Sequence, residues 1–122
     1  MSGRHSPAVN AMLFELLAQL QGYRSHVDHL AQEWHTRRDV VLFGEAGQAM
    51  DRMRALVVEV PQLSAQWLMV MISHAELMHN LWRLTRGEAL DGDAEVGDHL
   101  ACVTALAASC RELLVEGGSV LH

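Results

Sequence analysis

Histidine and glutamate at helical spacing are the residues of this chain best suited to chemistry. There are eight histidines. His26 and His29 lie close to Asp28 and Glu33, and His74, Glu76 and His79 form a second group. Neutral imidazole and carboxylate are common ligands of zinc, iron and manganese. Glu76-x-x-His79 has the i, i+3 spacing of dimetal sites inside helical bundles. Such sites need the motif on two helices and inward glutamates on two more. No second Glu-x-x-His occurs. His26, His29, His74, Glu76 and His79 therefore support a metal or haem bundle only as a secondary reading, and no metal or cofactor is expected. His74 differs from the rest because it interrupts an apolar seam. The plain expectation is a neutral core histidine, hydrogen-bonded to a neighbouring helix and setting its register. The sharper alternatives are a pH-sensitive point or a haem ligand.

Other chemistry finds less support. Serine, cysteine and histidine are present, but no nucleophile elbow or Cys/His signature surrounds them. There is no glycine-rich phosphate loop. All nine basic residues are arginine, so lysine chemistry is absent from this chain. Asp91-Gly-Asp93 lacks the later oxygens and closing glutamate of a calcium loop and reads as a turn and helix cap. Cys102 and Cys110 lie eight residues apart on one expected helix, ~12 Å along its axis, too far to bridge. They are expected as free thiols. Arg37-Arg38, Arg52-Arg54 and Arg83-Arg86 invite a phosphate reading. The net charge of −6 opposes a nucleic-acid footprint, and helix C-termini attract cations anyway. No enzymatic activity and no nucleic-acid partner are expected.

The elements that position these residues are organised around Pro61 to Gly87. This segment opens on a proline and closes on a glycine, as helices do. Val60, Leu63, Trp67, Val70, His74, Leu77, Leu81 and Leu84 recur at steps of three and four. A second seam, Leu68, Met71, Ala75, Met78 and Trp82, lies beside the first. The apolar stripe is wider than one partner helix covers. Met69 and Met71, with the continuing period, favour helix over a short strand.

A helix over 7–36 carries the clearest period: Leu13, Leu16, Leu20, Tyr23, Val27, Leu30 and Trp34. Ser6 is placed as its N-cap and Pro7 as its first residue. Gly22 weakens it by ~1 kcal/mol without breaking it. A turn near Thr36 to Asp39 leads to a second helix over 39–59, with Leu42, Ala46, Ala49, Met53, Leu56 and Val60 inward and Phe43, Met50 and Val57 alongside. Gly44 and Gly47 imply close backbone packing or a later helix start. Residues 61–86 form the third helix, reached through a kink or a reversal at Glu59-Val60-Pro61. A linker at 88–92 precedes a fourth helix over 93–116, capped by Asp91 or Asp93, with Val96, Leu100, Val103, Ala107, Cys110 and Leu114 inward. Gly117-Gly118 is expected to end it. Residues 1–5 and the tail from Ser119 are expected to be disordered.

The chain of 122 residues reads as one all-α domain, an antiparallel up-down bundle of about four helices, completed by homodimerisation. Half of its residues are hydrophobic but few are aromatic, which suits helices better than sheets. No apolar run reaches eighteen residues, so no membrane span is expected and a cytoplasmic location is. The N-terminal apolar stretch is interrupted by Asn10, Glu15 and Gln19, unlike a signal sequence. Arginine in place of lysine, with much alanine, glycine and valine, is the coding bias of a GC-rich bacterial genome. The expected role is a non-enzymatic protein–protein interaction module of the adaptor or chaperone type. Its dimer or partner surface is expected at Trp67, Met71, Met78 and Trp82. A transcription-associated regulator acting on proteins is the remaining alternative.

Overall fold

A computed structural model describes residues 7–37, 40–85 and 92–119. The described residues form four helices: α1 (Pro7–Arg37), α2 (Val40–Val57), α3 (Ser64–Thr85) and α4 (Gly92–Ser119). They contain no strand. A single 3-10 turn, Pro61–Leu63, precedes α3. The helices pack as a bundle: α1 lies along α2 and α4, α4 along α3, and α2 touches α3 only lightly.

The period of α1 decides its buried face. Leu13, Leu16, Leu20, Tyr23, Val27 and Leu30 are all buried, as their spacing requires. Each leucine so buried stabilises the fold by roughly 2 kcal/mol relative to exposure. Gly22 leaves α1 continuous. On α2, Ala46, Ala49, Met50, Met53 and Val57 face the core, with Leu56 at its edge. On α3 the first seam is inward: Leu63, Trp67, Val70, Leu77 and Leu81 are buried. On α4 the buried residues are His99, Val103, Leu106, Ala107 and Cys110. That face is centred elsewhere than expected: Val96, Leu100 and Leu114 are only partly buried, while His99 and Leu106 take the centre.

Several boundaries differ from expectation for local reasons. Helix α2 ends at Val57, not 59, because Pro61 holds Val60 extended at φ −131 and ψ 83. The chain turns there through Val60 N–H to Val57 O at 2.9 Å and Leu63 N–H to Val60 O at 3.0 Å. Helix α4 continues through Gly117 and Gly118 to Ser119, since glycine weakens a helix without forbidding it. It starts at Gly92, so Asp93 lies inside its first turn and is not its cap. Close packing at Gly44 and Gly47 is not found. A methyl group on either would meet nothing within 4 Å, and α2 already begins at Val40. Ser6, Arg38, Asp39, Asp91, residues 88–90 and the tail from 120 lie outside the described residues, as do the side chains of Glu33, Trp34, Leu42, Phe43 and Leu84.

The same open space surrounds Gly22. Gly22→Ala and Gly44→Ala should each raise unfolding stability by up to ~1 kcal/mol, from lower backbone entropy in the unfolded chain. Urea unfolding followed by circular dichroism checks this, and a loss of stability at either position would show that the methyl group meets something.

Candidate functional site

The phenol of Tyr23 lies at the centre of the inner face of α1; nearer the N-terminal end, the side-chain oxygen of half-buried Asn10 is also buried. Because α1 packs on α4 and the α3–α4 pair closes the same core, the phenol reaches both partners. Its oxygen lies 2.6 Å from His74 Nδ1 on α3 and 2.5 Å from His99 Nε2 on α4. The other nitrogen of His99, Nδ1, lies 2.6 Å from Ser73 Oγ, and Ser73 donates to the Val70 carbonyl at 3.1 Å. Tyr23 and His99 are buried, and His74 and Ser73 are half-buried. The rings of Tyr23 and His99 meet edge-on at 5.5 Å, and those of His74 and His99 are 5.8 Å apart.

One assignment of protons satisfies all four contacts with neutral groups. Ser73 has a single hydrogen, and it goes to the Val70 carbonyl, which can only accept. His99 Nδ1–H therefore donates to Ser73 Oγ. A neutral His99 then accepts at Nε2, so Tyr23 O–H donates to it. His74 Nδ1–H completes the row by donating to the Tyr23 oxygen. The result is a one-directional relay from α3 through α1 to α4 and back to α3. His74 is left with a lone pair on Nε2, which makes no hydrogen bond among the described residues.

The electrostatics follow from burial. Desolvation pushes the Tyr23 phenol well above its ordinary range, so it stays a donor. Desolvation also holds His74 below the usual imidazole range. His99 is lowered to about 4, by desolvation first and by the neighbouring His74 second. A first proton on the cluster can go to His74 Nε2, which leaves the direction of every hydrogen bond in the relay unchanged. A second leaves both imidazolium N–H groups aimed at one oxygen and the Tyr23 hydrogen with no acceptor. Ser73 and His99 are at a distance from which a base can activate a hydroxyl. In the relay, however, His99 Nδ1 already carries the proton it would need to receive.

The expected metal candidates are dispersed. His26 is 3.7 Å from Glu45 on α2 through Nδ1, while His29, Glu76 and His79 are exposed. Among the described residues no three His, Cys, Asp or Glu side chains gather as metal ligands. His74 instead joins Tyr23 and His99. The expected partner surface divides as well. Trp67 is buried in the core of its own chain, Met71 and Met78 are half-buried, and Trp82 is exposed. Beside Trp82, the outer side of α3 exposes Leu68 at 51%, Met69 at 54% and Ile72 at 44% of their full area. Both cysteines are free; Cys110 is buried and its thiol pushed up to about 11, while Cys102 is half-buried.

Two clefts lie between helices among the described residues. One, of about 380 Å³ between α1 and α2, is lined by Gln19, His26, Glu45, Gln48 and Arg52. The other, of about 390 Å³ between α1 and α4, contains Arg24, whose guanidinium donates to Thr104 Oγ1 at 2.6 Å. No described helix is long and apolar enough to cross a membrane. No protein-family model matches this chain, and no curated protein or solved structure matches it either.

Sequence reasoning placed Tyr23 and His74 on inward seams but did not join them, and it missed His99 and Ser73. The missed signal was His99, Val103, Leu106 and Cys110 at steps of four, three and four.

The relay sets a pH dependence. In the unfolded chain His99 titrates near 6.5, whereas folding lowers it to about 4. The unfolded state therefore binds more protons between those values, and stability falls as pH drops. Stability is complete above pH 6.5 and loses on the order of 3 kcal/mol by pH 4. Urea midpoints measured from pH 7.5 to 4.5 check this, and a flat profile in His99→Gln would assign the effect to His99. Tyr23→Phe should cost about 1–3 kcal/mol at pH 7.5, because it strands Nε2 of buried His99 and Nδ1 of half-buried His74. Stability equal to that of the unsubstituted chain would mean that the relay contributes nothing.

Proposed function

We propose that this chain is a non-enzymatic protein-interaction module of the small adaptor or chaperone type. In this reading the helices run up and down, and a second copy covers the outer side of α3. The supporting observation is that Leu68, Met69, Ile72 and Trp82 are exposed on one helix, whereas the other exposed large apolar side chains among the described residues lie singly, Phe14 on α1, Val58 in the turn after α2 and Val115 on α4. Isolated exposed leucines are ordinary, but several large apolar side chains exposed on one helix mark a contact surface; Leu68, Ile72 and Trp82 share one side of α3 and Met69 flanks it.

Charge supports a like partner. The chain carries a net −6. Within α3 the formal charges are Glu76 and Arg83, which cancel. The charges of α2 (Glu45, Asp51, Arg52 and Arg54) cancel as well, and α4 carries most of the excess. Two copies therefore repel least where α2 or α3 faces the partner, and of these two α3 carries the exposed large apolar side chains among the described residues. Met71 and Met78, half-buried beside the strip, supply the adaptable side chains that fill a helix–helix interface.

The test is the mass in solution. Size-exclusion chromatography with light scattering should give twice the chain mass of 13.5 kDa at micromolar concentration. Ile72→Asp with Leu68→Asp should raise the dimer dissociation constant roughly 100-fold or more while leaving helix content unchanged, because both positions are exposed in the single chain. A monodisperse monomer of the unsubstituted protein at that concentration would end the proposal.

A further inference from the structure

The residues on the outer side of α3 also define how two copies meet. At ~100° per residue, Leu68, Met71, Ile72, Ala75, Met78, His79 and Trp82 fall within about 60° of the direction of Ala75. They stand at −7, −4, −3, 0, +3, +4 and +7 from it. Helical periodicity alone makes those positions symmetric about the centre. The informative part is what fills them. None is an acid or an arginine, and the smallest residue, an exposed alanine, is in the middle. The bulkiest side chain, Trp82, stands at one end and Leu68 at the other.

We infer that α3 pairs antiparallel with α3 of a second copy, with the twofold axis passing beside Ala75. The inference rests on the reading of α3 as the contact face and adds its register. In an isologous contact, each residue at +n meets the one at −n of the partner copy. Trp82 then covers Leu68, Met78 meets Ile72, and His79 meets Met71. Ala75 meets its own twin, where a methyl group lets the helix axes approach to ~8 Å. A parallel pairing would instead set Trp82 against Trp82 and leave Leu68 to cover only Leu68, a poorer match in volume. The net charge of zero on α3 permits either direction, so side-chain size selects the antiparallel one.

Cysteine cross-linking separates these arrangements. Ala75→Cys and Leu68→Cys are made singly and oxidised under identical mild conditions, with the unsubstituted chain and its Cys102 and Cys110 setting the background. In the antiparallel pair the twin positions at 75 lie within the reach of a disulfide. Those at 68 are fourteen residues apart along the pair, ~21 Å, and cannot be bridged. Ala75→Cys should therefore form covalent dimer at least tenfold faster than Leu68→Cys. Fast cross-linking of both would show a parallel pair and overturn the inference while leaving the contact face intact. No cross-linking of either, with light scattering still giving a dimer, would overturn the register, and an unchanged dimer in the Leu68→Asp, Ile72→Asp variant would then remove the contact face as well. A monomer by light scattering would remove both the register and the reading it rests on.

Discussion

A buried phenol oxygen must find hydrogen-bond partners, and in this bundle that demand ties three helices together. Apolar seams on α1, α3 and α4 hold the helices against each other but say little about how far each may slide or rotate. Leucine, valine and alanine faces tolerate small shifts at little cost. The Tyr23 oxygen does not. At 2.6 Å from His74 and 2.5 Å from His99, a shift of one residue in either neighbour leaves a buried polar group unmatched. An unmatched group of this kind costs about as much as burying a leucine gains. Net stabilisation from the relay is modest, whereas the penalty for any other register is large. Specificity is thus the greater part of its contribution, the established use of a lone polar position in a helical core.

That constraint reaches the surface through α3. His74 and the outer strip share one helix, so fixing the rotation of His74 fixes the direction of everything else on it. With Trp67, Val70, Leu77 and Leu81 inward, His74 lies on the same face, half-buried, and Ala75 is turned out. A rotation of one residue would bury Ala75 in place of His74 and carry Leu68 and Trp82 toward the core. The polar relay inside the bundle is therefore what keeps an apolar strip outside it. By contrast, α2 has light contact with α3 and contributes no group to the relay. Among its described side chains, Ala46, Ala49, Met50, Met53 and Val57, with Leu56 at the edge, hold it against α1 and the core. An Ala- and Met-lined seam fills space adaptably and specifies position loosely.

How much of this could be read from the sequence depended on residue size. On α1, large leucines alternate with polar residues, and the buried face followed directly from their spacing. On α3 the first seam was equally legible, and the second seam showed an apolar surplus. Trp67 was assigned to the contact surface although it belongs to the first seam; a large aromatic on an apolar helix gives no sign of which side receives it. On α4 the reading slipped in phase. Ala101, Ala105, Ala107 and Ala108 give little contrast between faces, and Val96, Leu100 and Leu114 drew the seam to one side of its true centre. His99 was passed over because a histidine on a weakly patterned helix has no periodic signature. Its role appears only when Tyr23, 76 residues away in sequence, is brought to it by the fold. The glycines misled for the opposite reason. Gly44 and Gly47 resembled a close-packing surface, but the helix simply tolerates them in open space.

The apolar core and the polar relay within it divide the labour with the apolar strip outside. The relay sits among buried apolar side chains, where each of its groups is matched, and the strip on α3 is exposed. The two halves are complementary in what they can specify. An apolar strip supplies association energy in proportion to area but discriminates poorly between registers. A hydrogen-bonded relay supplies little net energy but discriminates sharply. In the proposed dimer the strip of one copy meets the strip of another, and its orientation is inherited from His74 and Tyr23 beneath it. A surface made of leucine, isoleucine, methionine and tryptophan can then present one defined face, because the polar contacts that define it lie inside the subunit that carries it.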